Sequence, residues 1–221
     1  MIRLFAGLEL PPDTRQMLDL LRGGIDGAKW RREDQFHLTL RFIGEVEPQQ
    51  ADDIRMALDD VAFRAFTVRL SGLGLFGRMP VPRVLWVGVE DPAPLRHLHD
   101  RIGQRLLRLG LAPEGRKYSP HVTLAHLKGR PRRLRRWLAD HEAFTAPPFK
   151  AASFALFRSH LLAEGARYEV AARYPASDAE PVVHSDPLPS RPFTQDTASP
   201  HHVQQMPQRE SKHHAAERRK S

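Results

Sequence analysis

The 221-residue chain contains no cysteine. Without thiols there are no disulfides, no thiolate metal centres and no cysteine nucleophile. Long apolar runs are missing too: no stretch approaches the roughly 20 residues that a membrane-spanning helix needs. The opening Met1-Ile2-Arg3-Leu4-Phe5-Ala6 has the look of a secretion signal, but Glu9, Pro11, Pro12 and Asp13 interrupt it too early. These absences lead to the expectation of a soluble cytoplasmic protein with no membrane partner. The length allows one domain plus a tail, or two small lobes.

What is present is a basic excess, +8 from 34 basic and 26 acidic residues. From Ala176 to Ser221 there are six of each sign, so the excess belongs to residues 1–175, with 28 basic and 20 acidic. A basic body attracts polyanions and speeds encounter with them. The densest block is Lys128, Arg130, Arg132, Arg133, Arg135 and Arg136. It reads either as a solvated helix face that turns Leu134, Trp137 and Leu138 inward, or as a contact to a phosphate backbone, and both readings can hold. Residues 176–221 are rich in Pro, Ser and charge and poor in apolar side chains, which predicts a disordered tail. Its pairs His201-His202 and His213-His214 make a poorly organised metal site, because a metal needs three or four fixed ligands.

Two strings carry the chemistry: His37-Leu38-Thr39-Leu40 and His121-Val122-Thr123-Leu124. In a strand, positions i and i+2 face the same way. Each string therefore presents an imidazole and a hydroxyl on one face while its apolar residues pack beneath. One such string is weak, since a strand histidine satisfied by a carbonyl is commonplace. The surroundings repeat as well. An apolar stretch at Leu4–Leu10 leads to Pro11-Pro12-Asp13 and a helical pattern through Met17, Leu18, Leu20 and Leu21. A second stretch, Val84–Val89, leads to Asp91-Pro92 and a helical pattern through Leu95, Leu98, Ile102, Leu106 and Leu109. Leu4 to His37 spans 33 positions and Val84 to His121 spans 37, which points to one duplicated strand-helix-strand unit. A pseudo-twofold pair of such units brings the two strings face to face.

Elsewhere, Ile54, Leu58 and Val61 give Ala51–Val61 a helical spacing, and Phe66–Leu70 alternates like a strand. Gly72, Gly74 and Gly77 hint at a phosphate-cradling loop, but no helix pattern follows, so a turn or bulge is the expectation. Strands are predicted at Ala152–Arg158 and Tyr168–Arg173.

The paired His-x-Thr strings resemble the signature of the 2H phosphoesterase superfamily, and within it the bacterial and archaeal RNA 2',3'-cyclic phosphodiesterases, formerly called 2'-5' RNA ligases. Arg3-Leu4-Phe5, His37 through Glu45, Pro82-Arg83-Val84-Leu85-Trp86, Pro120 through Ala125 and Gly165-Ala166-Arg167-Tyr168 extend the likeness over Met1 to about Pro175. Two positions depart from the pattern: Ser119 and His126 stand where the family commonly has basic residues. The resemblance implies an α+β, bilobal fold over residues 1–175, with two pseudo-twofold units whose antiparallel sheets line a central cleft.

The resemblance also implies the reaction. Water adds in line with the departing ribose oxygen of a cyclic phosphate, with acid and base on opposite sides of the phosphorus. By resemblance, His37 is the proton donor and His121 the base, although the symmetry of the strings does not itself distinguish them. Thr39 and Thr123 are expected to donate hydrogen bonds to the non-bridging oxygens. Arg41 shares their parity and is expected either to neutralise phosphate or to form a surface ion pair. Phe42, Tyr118 and Trp86 are candidates for stacking on a terminal base, with core packing the favoured role for Trp86. No metal or cofactor is expected. The expected partner is an RNA end bearing a 2',3'-cyclic phosphate, tRNA-like fragments included, with the protein acting as a monomer. The alternatives are a noncatalytic RNA or nucleotide-binding module, or an enzyme acting on small cyclic nucleotides or 2'-5' linkages.

Overall fold

A computed structural model describes residues 1–162 and 165–177. The first strand, β1 (Ile2–Glu9), buries Leu4, Phe5, Ala6 and Leu8 in succession. Burial on both faces requires an interior position, and β1 sits between two partners in its sheet. Helix α1 (Pro12–Asp19) follows, with proline in its first turn, where a missing N–H costs nothing, and Asp13 beside the positive end of the helix dipole. A two-residue strand, β2 (Lys29–Trp30), precedes β3 (His37–Val46). Helix α2 (Pro48–Asp59) turns Ala51, Ile54 and Leu58 into the core.

The second half repeats the plan. After β4 (Phe66–Val68) come β5 (Leu70–Arg78) and β6 (Val81–Val89). Gly72, Gly74 and Gly77 all lie within β5, whose register shifts twice, as expected of a bulge, and not in a loop before a helix. Helix α3 (Ala93–Arg108) buries Leu95, Leu98, Ile102 and Leu106 along one stripe. It ends at Gly110, whose φ of 79° lets the chain reverse while Leu111 donates to the Leu106 carbonyl. Then follow β7 (Val122–His126), α4 (Leu134–Asp140), β8 (Phe149–Ala151) and the closing hairpin of β9 (Ser153–Leu162) and β10 (Gly165–Pro175). The hairpin is longer than its apolar residues predict, because its outer positions are polar and pair across the strands, as in His160–Glu169 at 3.0 Å. In α4, Leu134 and Trp137 are buried and Arg135 and Arg136 are exposed, which fits the solvated-face reading of the basic block.

The fold is α+β, and every strand pairing is antiparallel. One four-stranded sheet runs β10-β9-β1-β3, a second runs β2-β7-β6-β5, and β4-β8 form a small ribbon. Each half lends strands to the other. The first sheet takes β9 and β10 from the C-terminal end, and the second takes β2 from the N-terminal half. Backbone pairing continues past 175: Ala176, which is buried, donates to the Ala152 carbonyl, and Ser177 donates to that of Phe63. The rest of the expected tail, with its paired histidines, lies outside the described residues. Among the described residues, no helix is long and apolar enough to cross a membrane.

Candidate active site

Strand parity builds the site. In β3, Leu38 and Leu40 are fully buried while His37 and Thr39 are half-buried on the opposite face. Around β7, Val122 and Leu124 are fully buried while His121 and Thr123 are half-buried. All four polar side chains line one cleft of about 300 Å³. Arg3 and Phe42 border it from the first sheet, Arg31 and His126 from the second, and Tyr168 and Leu161 from the closing hairpin. Among the described residues none of the lining side chains is a carboxylate.

The imidazoles are held in the same way. His37 Nδ1 lies 2.8 Å from the carbonyl of Gln35, and His121 Nδ1 lies 2.8 Å from that of Ser119. A carbonyl only accepts, so each neutral ring carries its proton on Nδ1 and keeps a lone pair on Nε2. Aromatic rings floor both. Phe5 lies 4.7 Å from His37 and Tyr168 meets it edge-on at 4.9 Å, while Phe76 meets His121 edge-on at 4.7 Å. Burial lowers both histidines. His37 falls to about 4, with the charges of Arg31 and His121 pushing the same way and the bond to Gln35 opposing. His121 is also lowered by burial, against its bond to Ser119. Both rings are therefore neutral at neutral pH.

Tyr118 ties the two strings together. Its hydroxyl donates to the Thr39 carbonyl at 3.0 Å, and its ring stacks on His99 at 4.1 Å. His99 Nδ1 in turn reaches the Leu40 carbonyl at 2.7 Å. Burial raises the phenol well above its ordinary value, so it remains a donor. Tyr118 is thus not a cleft-lining stacking residue. It clamps the segment leading to His121 onto the strand that carries His37.

Arg41 also departs from expectation. The β1–β3 register steps from Gly7 opposite Thr39 to Ala6 opposite Arg41, so Leu40 is an extra residue. This bulge breaks the alternation and turns Arg41 inward. Arg41 is 5% exposed, bonds the Ala112 carbonyl and pairs with Glu114 at 3.4 Å. It does not line the cleft. Phe42 does, and it is exposed, with the Arg3 guanidinium 5.2 Å from its ring centroid. Trp86 is half-buried, packing over Gly74 and beside Phe76, and belongs to the wall behind His121 rather than to the hydrophobic core. The sequence reading missed Arg3, Arg31 and Tyr168 as cleft residues, although the first and last fall in its family-like segments. Among the described residues no cluster of three or more His, Asp or Glu side chains is placed to hold a metal ion.

Two neutral imidazoles, two hydroxyls and free cations with no opposing carboxylate suit an anionic phosphorus centre flanked by a proton donor and a proton acceptor. The family model described as LigT-like phosphoesterase matches the chain twice in succession, over residues 8–86 and 87–168. The chain belongs to the LigT-like phosphoesterases. The double match falls on the two halves that each contribute one His-x-Thr string. A Thermotoga maritima relative named RNA 2',3'-cyclic phosphodiesterase is 32% identical over 178 residues, covering 76% of this chain and 92% of that protein. An Aeropyrum pernix relative of the same name is 45% identical over 98 residues, 44% of this chain. The match spans little more than half of that relative's length, 56%, as it does for a Geobacillus stearothermophilus relative of the same name. Among solved structures, E. coli LigT complexed with 3'-AMP shares the fold with a TM-score of 0.64 at 24% identity, covering 79% of this chain and 98% of that one.

Proposed function

We propose that this LigT-like phosphoesterase hydrolyses 2',3'-cyclic phosphate ends of RNA to 2'-phosphomonoesters by paired-histidine acid–base catalysis, without a metal ion. One observation carries the reading. Two imidazoles, each with Nδ1 pinned to the carbonyl two residues before it, share one cleft with two threonine hydroxyls. The relatives' shared name, RNA 2',3'-cyclic phosphodiesterase, supports the choice of substrate. A cyclic end carries one negative charge, and the cleft offers cations and neutral donors to receive it.

His121 Nε2 takes a proton from water as the oxygen bonds to phosphorus. The P–O3' bond breaks, and His37 delivers a proton to the departing oxygen. Thr39 and Thr123 donate hydrogen bonds to the non-bridging oxygens, where charge accumulates. The substrate's charge favours protonation of a neighbouring ring, which supplies the acid. The donor role of His37 and the base role of His121 follow the family resemblance. After turnover the two rings have exchanged protonation states, and solvent resets them.

The test uses an oligonucleotide ending in a 2',3'-cyclic phosphate, with products separated by chromatography. The wild type is expected to give a 2'-phosphate end at an undiminished rate in excess EDTA. His37→Ala and His121→Ala are each expected to lose hydrolysis while keeping the wild-type circular dichroism spectrum. Near-wild-type turnover by either variant, a 3'-phosphate product, or tight RNA binding without turnover by the wild type would overturn the reading.

A further inference from the structure

Arg31 follows the short strand β2, and its backbone N–H donates to the Leu124 carbonyl at 2.8 Å, fixing it against the strand that carries Thr123. Its Nη2 donates to His126 Nε2 at 2.8 Å, across 95 residues of sequence. Guanidinium only donates, so this His126 nitrogen is unprotonated and the bond joins a cation to a neutral ring. Arg31 and His126 border the same cleft as the two His-x-Thr pairs.

Arg3, which also borders the cleft, lies over the Phe42 ring, whereas other cations nearby are bound to carboxylates. Arg32 pairs with Asp34, Arg41 with Glu114 and Arg173 with Glu9. Among the described residues no carboxylate lies within 4.0 Å of Arg31. A guanidinium oriented by an imidazole keeps its full charge and most of its five N–H donors for an incoming anion. The field of Arg31 already reaches the catalytic pair, since it helps to depress His37.

We propose that Arg31 is the phosphate-recognising cation of this chain and that His126 is its positioning residue, holding the guanidinium toward the phosphorus. The proposal rests on the phosphodiesterase reading and deepens it by naming what grips the charged group. Arg31 touches substrate; His126 acts through Arg31.

The test measures binding of inorganic phosphate by titration calorimetry at pH 7.5, together with kcat and KM on the cyclic-phosphate-ended oligonucleotide. Arg31→Gln is expected to weaken phosphate binding and raise KM by about ten- to a hundredfold, the range for losing hydrogen bonds to a charged group. His126→Leu is expected to weaken both by about three- to tenfold, as one orienting bond is lost. His126→Gln, whose amide oxygen accepts from the guanidinium, is expected to stay near wild type. In the Arg31→Gln background, His126→Leu is expected to add nothing further, which a general structural role would not produce. Wild-type phosphate affinity in Arg31→Gln, or no phosphate binding by the wild type, overturns the proposal. An undiminished His126→Leu effect in the Arg31→Gln background overturns the positioning role. Arg31-dependent phosphate binding without turnover supports this proposal and counts against the phosphodiesterase reading. Turnover with phosphate binding indifferent to Arg31 does the reverse.

Discussion

Lowering the pH from 7 to 4.5 perturbs one group in a calculable way. Burial holds folded His37 at about 4, whereas an unfolded histidine titrates at 6.5. As the pH falls through 6.5, the unfolded chain takes up a proton here and the folded chain does not. Stability therefore drops across the window between 6.5 and about 4 and levels off below it. The gap corresponds to about 3 kcal/mol at full burial, and the cleft's opening to solvent reduces this to roughly 2 kcal/mol. The assay is urea unfolding at both pH values for the wild type and His37→Gln, whose side-chain amide can still donate to the Gln35 carbonyl. The wild type is expected to lose roughly 2 kcal/mol more than the variant on acidification. Parallel losses would refute the argument, as would an imidazole carbon chemical shift that titrates near 6.5 in the native protein. Because a bound anion favours the charged ring, added phosphate is expected to restore part of the acid loss.

Two further outcomes follow from packing around the site. Tyr118→Phe removes the bond to the Thr39 carbonyl and is expected to cost about 1 kcal/mol in urea unfolding. Because the same bond joins the two strings, kcat should fall while Asp→Asn changes on the far surface leave it unaltered; an unchanged kcat would count against the clamp. Gly74→Ala places a methyl carbon 2.1 Å from Trp86 Cζ2, a ring confined by Phe76 and lying 6.1 Å from His121. Overpacking of this kind costs about 1–3 kcal/mol, so a thermal melt matching the wild type would contradict the packing described.

Local rules made much of the site legible. Alternation in a strand suffices to place His37 with Thr39 and His121 with Thr123, and the repeated spacing brings the pairs together. Arg41 escaped the same rule because one extra residue, Leu40, shifts parity, and nothing in His37 through Glu45 announces a bulge. Tyr118 has the composition of a stacking residue, but its neighbour on α3, His99, claims its ring, and its hydroxyl is spent on a backbone carbonyl. Arg31 was invisible for a different reason. Its meaning depends on pairing a two-residue strand with one almost a hundred positions away, and no periodicity survives in so short an element. His126 had been noticed only as a departure from its family's pattern; the structure supplies the donor that occupies it.

The exchange of strands between the sheets has a mechanical result. Each jaw of the cleft is stitched to the other half by borrowed edges, β2 on one side and β9 with β10 on the other. Each sheet is therefore assembled from both halves of the sequence, and its ladders close only when both halves are present. Neither half is whole alone, so severing the chain between the repeats should leave two fragments that regain shape only in each other's company.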